Sequence, residues 1–241
     1  MIVITRKHSY FIKDEDVAMV EAGSMVFDPE NNKLYMAFEP GVLTEISAEV
    51  VAVETLEALT EAIAAGGNIK VAADIVAPTG FVITSDTVIT NEVEISIPED
   101  TVGDGVFKVT DGVLTLDGKG TINGLDSSGW SMAVWATDNG KVIIKDGYFT
   151  NVGAHSPEDS EHYDLIYASI NGQVEILGGE FKCETPQWTL NIKNESRETA
   201  KIVVKGGKFH GFNPMEAEEG NFVAPGYKVV EENGIFTVMP E

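Results

Sequence analysis

The chain has 241 residues, 43% hydrophobic and 23% charged, values that exclude wholesale disorder and leave room for one good core or two small ones. Its 39 acidic against 16 basic side chains give a formal net charge of −23, which argues against binding to phosphate backbones or anionic lipid. The single cysteine, Cys183, excludes an internal disulfide, and no stretch approaches the roughly 18 apolar residues of a membrane span.

Residues 1–47 predict a small β module, with short strands at 1–4, 10–12, 17–20, 25–27 and 34–38 and a turn at Asp28-Pro29-Glu30-Asn31-Asn32. The first charge arrives at Arg6, too early for a Sec signal, so synthesis in a cytoplasm without export through that route is expected. So short a segment makes a thin core and should lean on the rest of the chain, a sister chain or a larger assembly. Met25, Tyr35, Met36 and Phe38 then read as an attachment interface rather than as plain surface.

Residues 48–67 read as a linker and a capping helix. Leu56, Leu59 and Ile63 share one helical face, and Gly66-Gly67 ends the helix. A helix placed immediately before a strand-rich region is suited to plug the mouth of its core; an independent linker helix is the plainer alternative.

Residues 68–212 carry an internal repeat. Lys141-Val142-Ile143-Ile144-Lys145-Asp146-Gly147-Tyr148-Phe149 aligns without gaps with residues 173–181 and 201–209. Val142, Val174 and Ile202 are spaced by 32 and 28 residues, and the same two steps separate Gly147, Gly179 and Gly207, and Phe149, Phe181 and Phe209. A weaker copy starts at Thr110-Asp111-Gly112. Alternation of period two identifies strands, and Asn-Gly or Asp-Gly turns alone would suggest hairpins. A hairpin meander has no reason to repeat a three-strand pattern every 28–32 residues. A parallel coil does, because like residues then stack on successive turns. The fold expected is all-β: a right-handed parallel β-helix of about five coils, with an aromatic and an aliphatic column inside. Cys183, beside Phe181, is expected to face inward as an inert thiol. Residues 213–241 should form a C-terminal cap containing a hairpin around Asn233-Gly234.

Chemistry is sparse. A glycosidase needs two carboxylates about 5–5.5 Å or 6.5–9.5 Å apart, and a lyase of this kind needs an acidic Ca²⁺ cluster facing an Arg or Lys base. Arg6 and Arg197 are the only arginines, and there is no Asp-Asp or Asn-Thr-Asp stretch. The best candidates lie in the extra length of one repeat: His155 and His162 as metal ligands, and Glu158, Asp159 and Asp164 as acid/base groups. Their spacing matches no established motif, and a solvated loop is the plainer explanation. Trp130, Trp188 and Tyr163 are candidate glycan contacts, whereas Trp135 and Tyr167, in corresponding strands, favour core or interface packing. No catalytic residue, cofactor or metal is therefore expected.

Gly206-Gly207-Lys208-Phe209-His210-Gly211-Phe212-Asn213-Pro214, Asn221-Phe222-Val223-Ala224-Pro225-Gly226-Tyr227 and Asn233-Gly234-Ile235-Phe236-Thr237-Val238 together resemble the ending of many phage- and prophage-encoded β-helix proteins. The helix followed by Gly66-Gly67-Asn68-Ile69 resembles their solenoid entrance, so the resemblance covers residues 54–241. It implies a non-enzymatic virion component: a head fibre, capsid-decorating or tail-associated homotrimer that docks on capsid or tail proteins through residues 1–47. The projected body would meet a host surface or glycan. A tailspike-like depolymerase or glycan-binding module is the alternative, and a bacterial surface adhesin ranks below both for want of an export signal.

Overall fold

The computed structural model describes residues 2–4, 9–11, 20–28, 33–45, 50–98, 105–125, 132–153 and 163–241. The chain is all-β apart from one α-helix and two single-turn 3₁₀ segments among the described residues, and it divides into two compact units, Met1–Glu49 and Val50–Glu241.

The first unit is a five-stranded antiparallel sheet in the order Ser9–Phe11, Ile2–Ile4, Met25–Asp28, Lys33–Glu39, Val42–Glu45. Pro40-Gly41 turns the last hairpin, with Gly41 at φ 74. Of the stretch 17–20 expected as a strand, only Val20 lies within the described residues. It is buried outside any strand, and its carbonyl accepts from the Gly41 N–H at 2.9 Å. Val20, Val26 and Ala37 are buried, with Tyr35 and Leu43 packed on them.

In the second unit the helix α1 runs Leu56–Ala65. The Thr55 side chain accepts from the Ala58 N–H, and Gly66, at φ 73, donates back to the Ala62 and Ile63 carbonyls. Leu59, Ala62 and Ile63 are buried at one end of a continuous core. A strand the sequence did not suggest, Val50–Val53, precedes the helix and pairs in parallel with Gly67–Val71.

From there the chain passes through three sheets in turn, and each strand pairs with its counterpart in the next pass. The first sheet stacks Val50–Val53, Gly67–Val71, Thr87–Asn91, Val113–Asp117, Lys141–Ile144, Gln173–Ile176 and Lys201–Val204, all parallel. The second stacks Ile75–Val76, Glu94–Ser96, Thr121–Asn123, Tyr148–Thr150, Glu180–Lys182 and Gly207–His210, also parallel. The third stacks Phe81–Ile83, Phe107–Val109, Val134–Ala136, Ile166–Ala168 and Leu190–Ile192. Val142 lies opposite Val174, and Val174 opposite Ile202. Phe149, Phe181 and Phe209 stack at 5.0 and 4.8 Å with interplanar angles of 12° and 9°, the spacing that hydrogen-bonded strands impose.

Corners require backbone contact between passes. A Cβ on Gly172 would stand 2.1 Å from the Ala136 carbonyl oxygen, so no side chain fits there. Carboxylates also tie passes together: Asp74 Oδ1 accepts from the Glu94 N–H and Asp86 Oδ1 from the Val113 N–H, both at 2.9 Å. Part of the acidic surplus is thus corner chemistry. At the far end the hairpin of Tyr227–Glu232 and Ile235–Pro240 adds antiparallel to Gly207–His210, with Phe236 opposite Phe209, and so covers that edge of the second sheet.

Candidate functional site

Three surfaces collect the groups that sequence reasoning singled out or that the fold brings together. The first lies on the small unit. Met25 and Met36 are register partners and share one sheet face, and Phe38 lies two residues on, at a bulge between Ala37 and Glu39. Phe38 is 63% exposed and Met25 37%. Tyr35 points to the opposite side, onto Val26 and Ala37. Val26, Ala37 and Tyr35 thus lie on the packed side of this sheet, and Met25 and Met36 on the other.

The second is a groove of about 400 Å³ where the first sheet turns into the second. Its floor is a glycine column, Gly147, Gly179 and Gly207, at φ 127, 95 and 104. The walls are the outward residues of successive passes, Tyr148, Glu180, Lys208 and Thr237, with Lys119 and Asp146 beside them. Glu180 Oε1 lies 2.6 Å from His210 Nε2, and Asp146 Oδ1 accepts the Gly147 N–H at 2.9 Å. The groove offers hydroxyl, carboxylate and ammonium groups along a flat floor, a chemistry suited to an extended hydroxyl-rich chain. Sequence reasoning missed these residues as a site. The signal was present in the polar position between Gly and Phe in each aligned repeat, which had to point outward.

The third is the outer face of the third sheet, where register aligns Val82, Lys108, Trp135, Tyr167 and Asn191. Lys108 Nζ sits 4.1 Å from the Trp135 ring centroid, and the Trp135 indole N–H donates to Ser169 Oγ at 2.9 Å. Burial, with Asp164 and Glu195 adding to it, pushes the Tyr167 phenol up to about 12. With one ring face under an ammonium, Trp135 is committed to structure.

Of the loop candidates, His155, Glu158, Asp159 and His162 lie outside the described residues, as does Trp130. Asp164 Oδ1 accepts from Asn191 Nδ2 at 2.8 Å, tying one pass to the next. Tyr163 and Trp188 are half-buried in consecutive connections from the second to the third sheet. The Tyr163 carbonyl accepts from Cys183 Sγ at 2.8 Å; burial pushes that thiol up to about 12, the state of an unreactive core group. Among the described residues no group of three or more His, Cys, Asp or Glu converges on a metal-sized position, and no described helix is long and apolar enough to cross a membrane. No family model, curated protein or solved structure matches this chain.

Proposed function

We propose that the Val50–Glu241 unit is a right-handed parallel β-helix and that the protein is a non-enzymatic virion component, a head fibre or capsid decoration. It docks through its N-terminal unit and presents the β-helix, as a homotrimer. Parallel strands joined by same-sheet crossovers are right-handed in about 98% of cases, which supplies the hand of the coil. The observation that carries docking is the exposure of Met25 and Phe38 on a unit whose buried apolar cluster is Val20, Val26 and Ala37. The resemblance of residues 54–241 to phage-encoded β-helix proteins supplies the virion as the place of docking.

Phe38→Glu combined with Met25→Glu in the full chain should abolish co-sedimentation with particles from the source while leaving the β-rich circular dichroism unchanged. Undiminished co-sedimentation overturns docking through this face. The groove over Gly147, Gly179 and Gly207 favours a second reading of what the presented body touches, a host glycan. Loss of glycan-array binding on Tyr148→Ala would support it, and turnover of host polysaccharide by the wild type would favour the depolymerase alternative.

A further inference from the structure

The second sheet extends past the last pass of the chain. Beyond Gly207–His210 it gains Ile235–Pro240 and then Tyr227–Glu232, whereas the first sheet stops at Lys201–Val204 and the third at Leu190–Ile192. Tyr227–Glu232 is the terminal strand of its sheet, and among the described residues no strand pairs with its outer edge.

The hairpin decides which backbone groups that edge presents. Its two-residue turn, Asn233-Gly234 at φ 54 and 78, has the positive angles of a type I′ turn, and at its open end the Glu241 N–H donates to the Gly226 carbonyl at 3.1 Å. Hydrogen-bonded and non-hydrogen-bonded pairs alternate along an antiparallel ladder. Gly226, Lys228, Val230 and Glu232 therefore turn their backbone groups toward Ile235–Pro240, and Tyr227, Val229 and Glu231 turn theirs away. The Tyr227 N–H is taken by the Ala224 carbonyl at 3.2 Å. Val229 and Glu231 keep both groups free among the described residues.

Such an edge is a template for another strand, and proteins commonly blunt it with charge. Here the charges match instead. Lys228, Val230 and Glu232 alternate along the exposed side of the strand, and Val230 is 44% exposed. Among the described residues neither Lys228 nor Glu232 has an ion-pair partner within its own chain. Two antiparallel copies can meet only where outward-turned residues face each other. Setting Tyr227 opposite Val229 brings Lys228 against Lys228, and setting Glu231 opposite itself brings acid against acid. Setting Val229 opposite itself spends Lys228 on Val230. Setting Val229 opposite Glu231 puts Val230 against Val230 on a two-fold axis, with Lys228 against Glu232 on either side. These fall in non-hydrogen-bonded pairs, where side chains come closest. The remaining acid, Glu231, is turned back onto its own hairpin, accepting the Gly234 N–H at 2.8 Å. The net charge of −23 opposes any meeting of copies, so a contact between them has to be locally matched, as this one is.

We propose that the Tyr227–Glu232 edge pairs antiparallel with the same edge of a second copy, in an isologous contact centred on Val230 that joins the two second sheets into one. Thr237 lies opposite Val230 and Lys208 opposite Thr237, so the polar column walling the glycine groove runs through the contact into the second copy. The contact goes beyond particle docking and does not rest on it. It makes the number of copies even: a dimer or, with the homotrimer named above, two trimers end to end.

Cross-linking in the full chain tests it. The only cysteine, Cys183, is buried, so Val230→Cys introduces a single accessible thiol. Facing Cα atoms about 4.5 Å apart lie within the disulfide span of about 4.4–6.8 Å, so mild oxidation should link this variant into covalent dimers. Lys228→Cys and Glu232→Cys should stay unlinked when oxidised separately and link when mixed. In sedimentation velocity the wild type should run as an even-numbered assembly. Lys228→Glu should lower the association constant about tenfold, and adding Glu232→Lys should restore it, with the β-rich circular dichroism unchanged throughout. A wild type that stays monomeric as concentration rises, or forms only an odd-numbered assembly, overturns the contact. So does a Val230→Cys chain that oxidises without dimerising, or a charge swap that fails to restore association.

Discussion

Both units are built of short strands, but they bury their side chains by different rules. In Val50–Glu241 each pass lies in register on the one before, so Phe149, Phe181 and Phe209 meet like on like, as do Val142, Val174 and Ile202. One continuous core then runs from Val53 to Val238. In Met1–Glu49 the strands are antiparallel, and the described core is Val20, Val26 and Ala37. Antiparallel sheets commonly turn a polar face to water; this one exposes Met25 and Phe38. Repetition gives the larger unit one continuous core, while the smaller leaves Met25 and Phe38 exposed.

Two phenylalanines should break the comparison most sharply. Phe181 is fully buried with a ring stacked on either side, and Phe181→Ala should cost about 3–5 kcal/mol, seen as a collapse of the denaturant midpoint of the larger unit. Phe38 is 63% exposed, and Phe38→Ala should stay within about 0.5 kcal/mol. If the two costs proved similar, Phe38 would have to be covered within the chain itself, and the docking proposed for it would lapse.

The contrast also explains what the sequence made legible. The columns could be read because Gly147, Gly179 and Gly207 and the three phenylalanines keep one register across unequal steps; hydrogen bonding between passes forbids slippage inside a strand and pushes extra length into a connection. Val50–Val53 escaped because Val50, Val51 and Ala52 are all exposed at the terminal edge, where no alternation marks the inward side. The groove escaped because its floor is backbone: glycine reads as a corner, and only the stacked passes turn three corners into a channel. The small sheet offered no repeat, so its strands were approximate, and the side of Tyr35 opposite Met36 followed only from the observed pairing and packing.

Smaller effects test how tightly the passes fit. Gly172→Ala sets a methyl 2.1 Å from the Ala136 carbonyl oxygen and should cost about 1–3 kcal/mol through local displacement of the backbone. Glu219 tests the opposite case, a local misfit whose removal helps. Its side chain is 2% exposed, its carboxylate oxygens have no hydrogen-bond partner, and Arg197 approaches only to 4.0 Å. Burial therefore holds its carboxyl above the usual value of 4.5. A raised folded value means the penalty is absent below 4.5 and grows as pH rises through the folded value. Glu219→Gln should accordingly stabilise the protein by about 1 kcal/mol at neutral pH and by nothing in acid, measured by chemical denaturation across that range.

The smallest effect belongs to the ion pairs of Glu175 with Lys205, at 2.6 Å, and Lys141, at 3.7 Å. Hydrogen bonding from Lys205 first, and then the charges of Lys205 and Lys141, holds the Glu175 carboxyl below the usual value of 4.5 against a partial desolvation that opposes them. A depressed folded value reverses the sign worked out for Glu219: the pair stabilises at pH above 4.5 and is lost as pH falls through the folded value. Glu175→Gln should therefore lower the melting temperature slightly at neutral pH and low salt, with the difference vanishing both in acid and at high ionic strength.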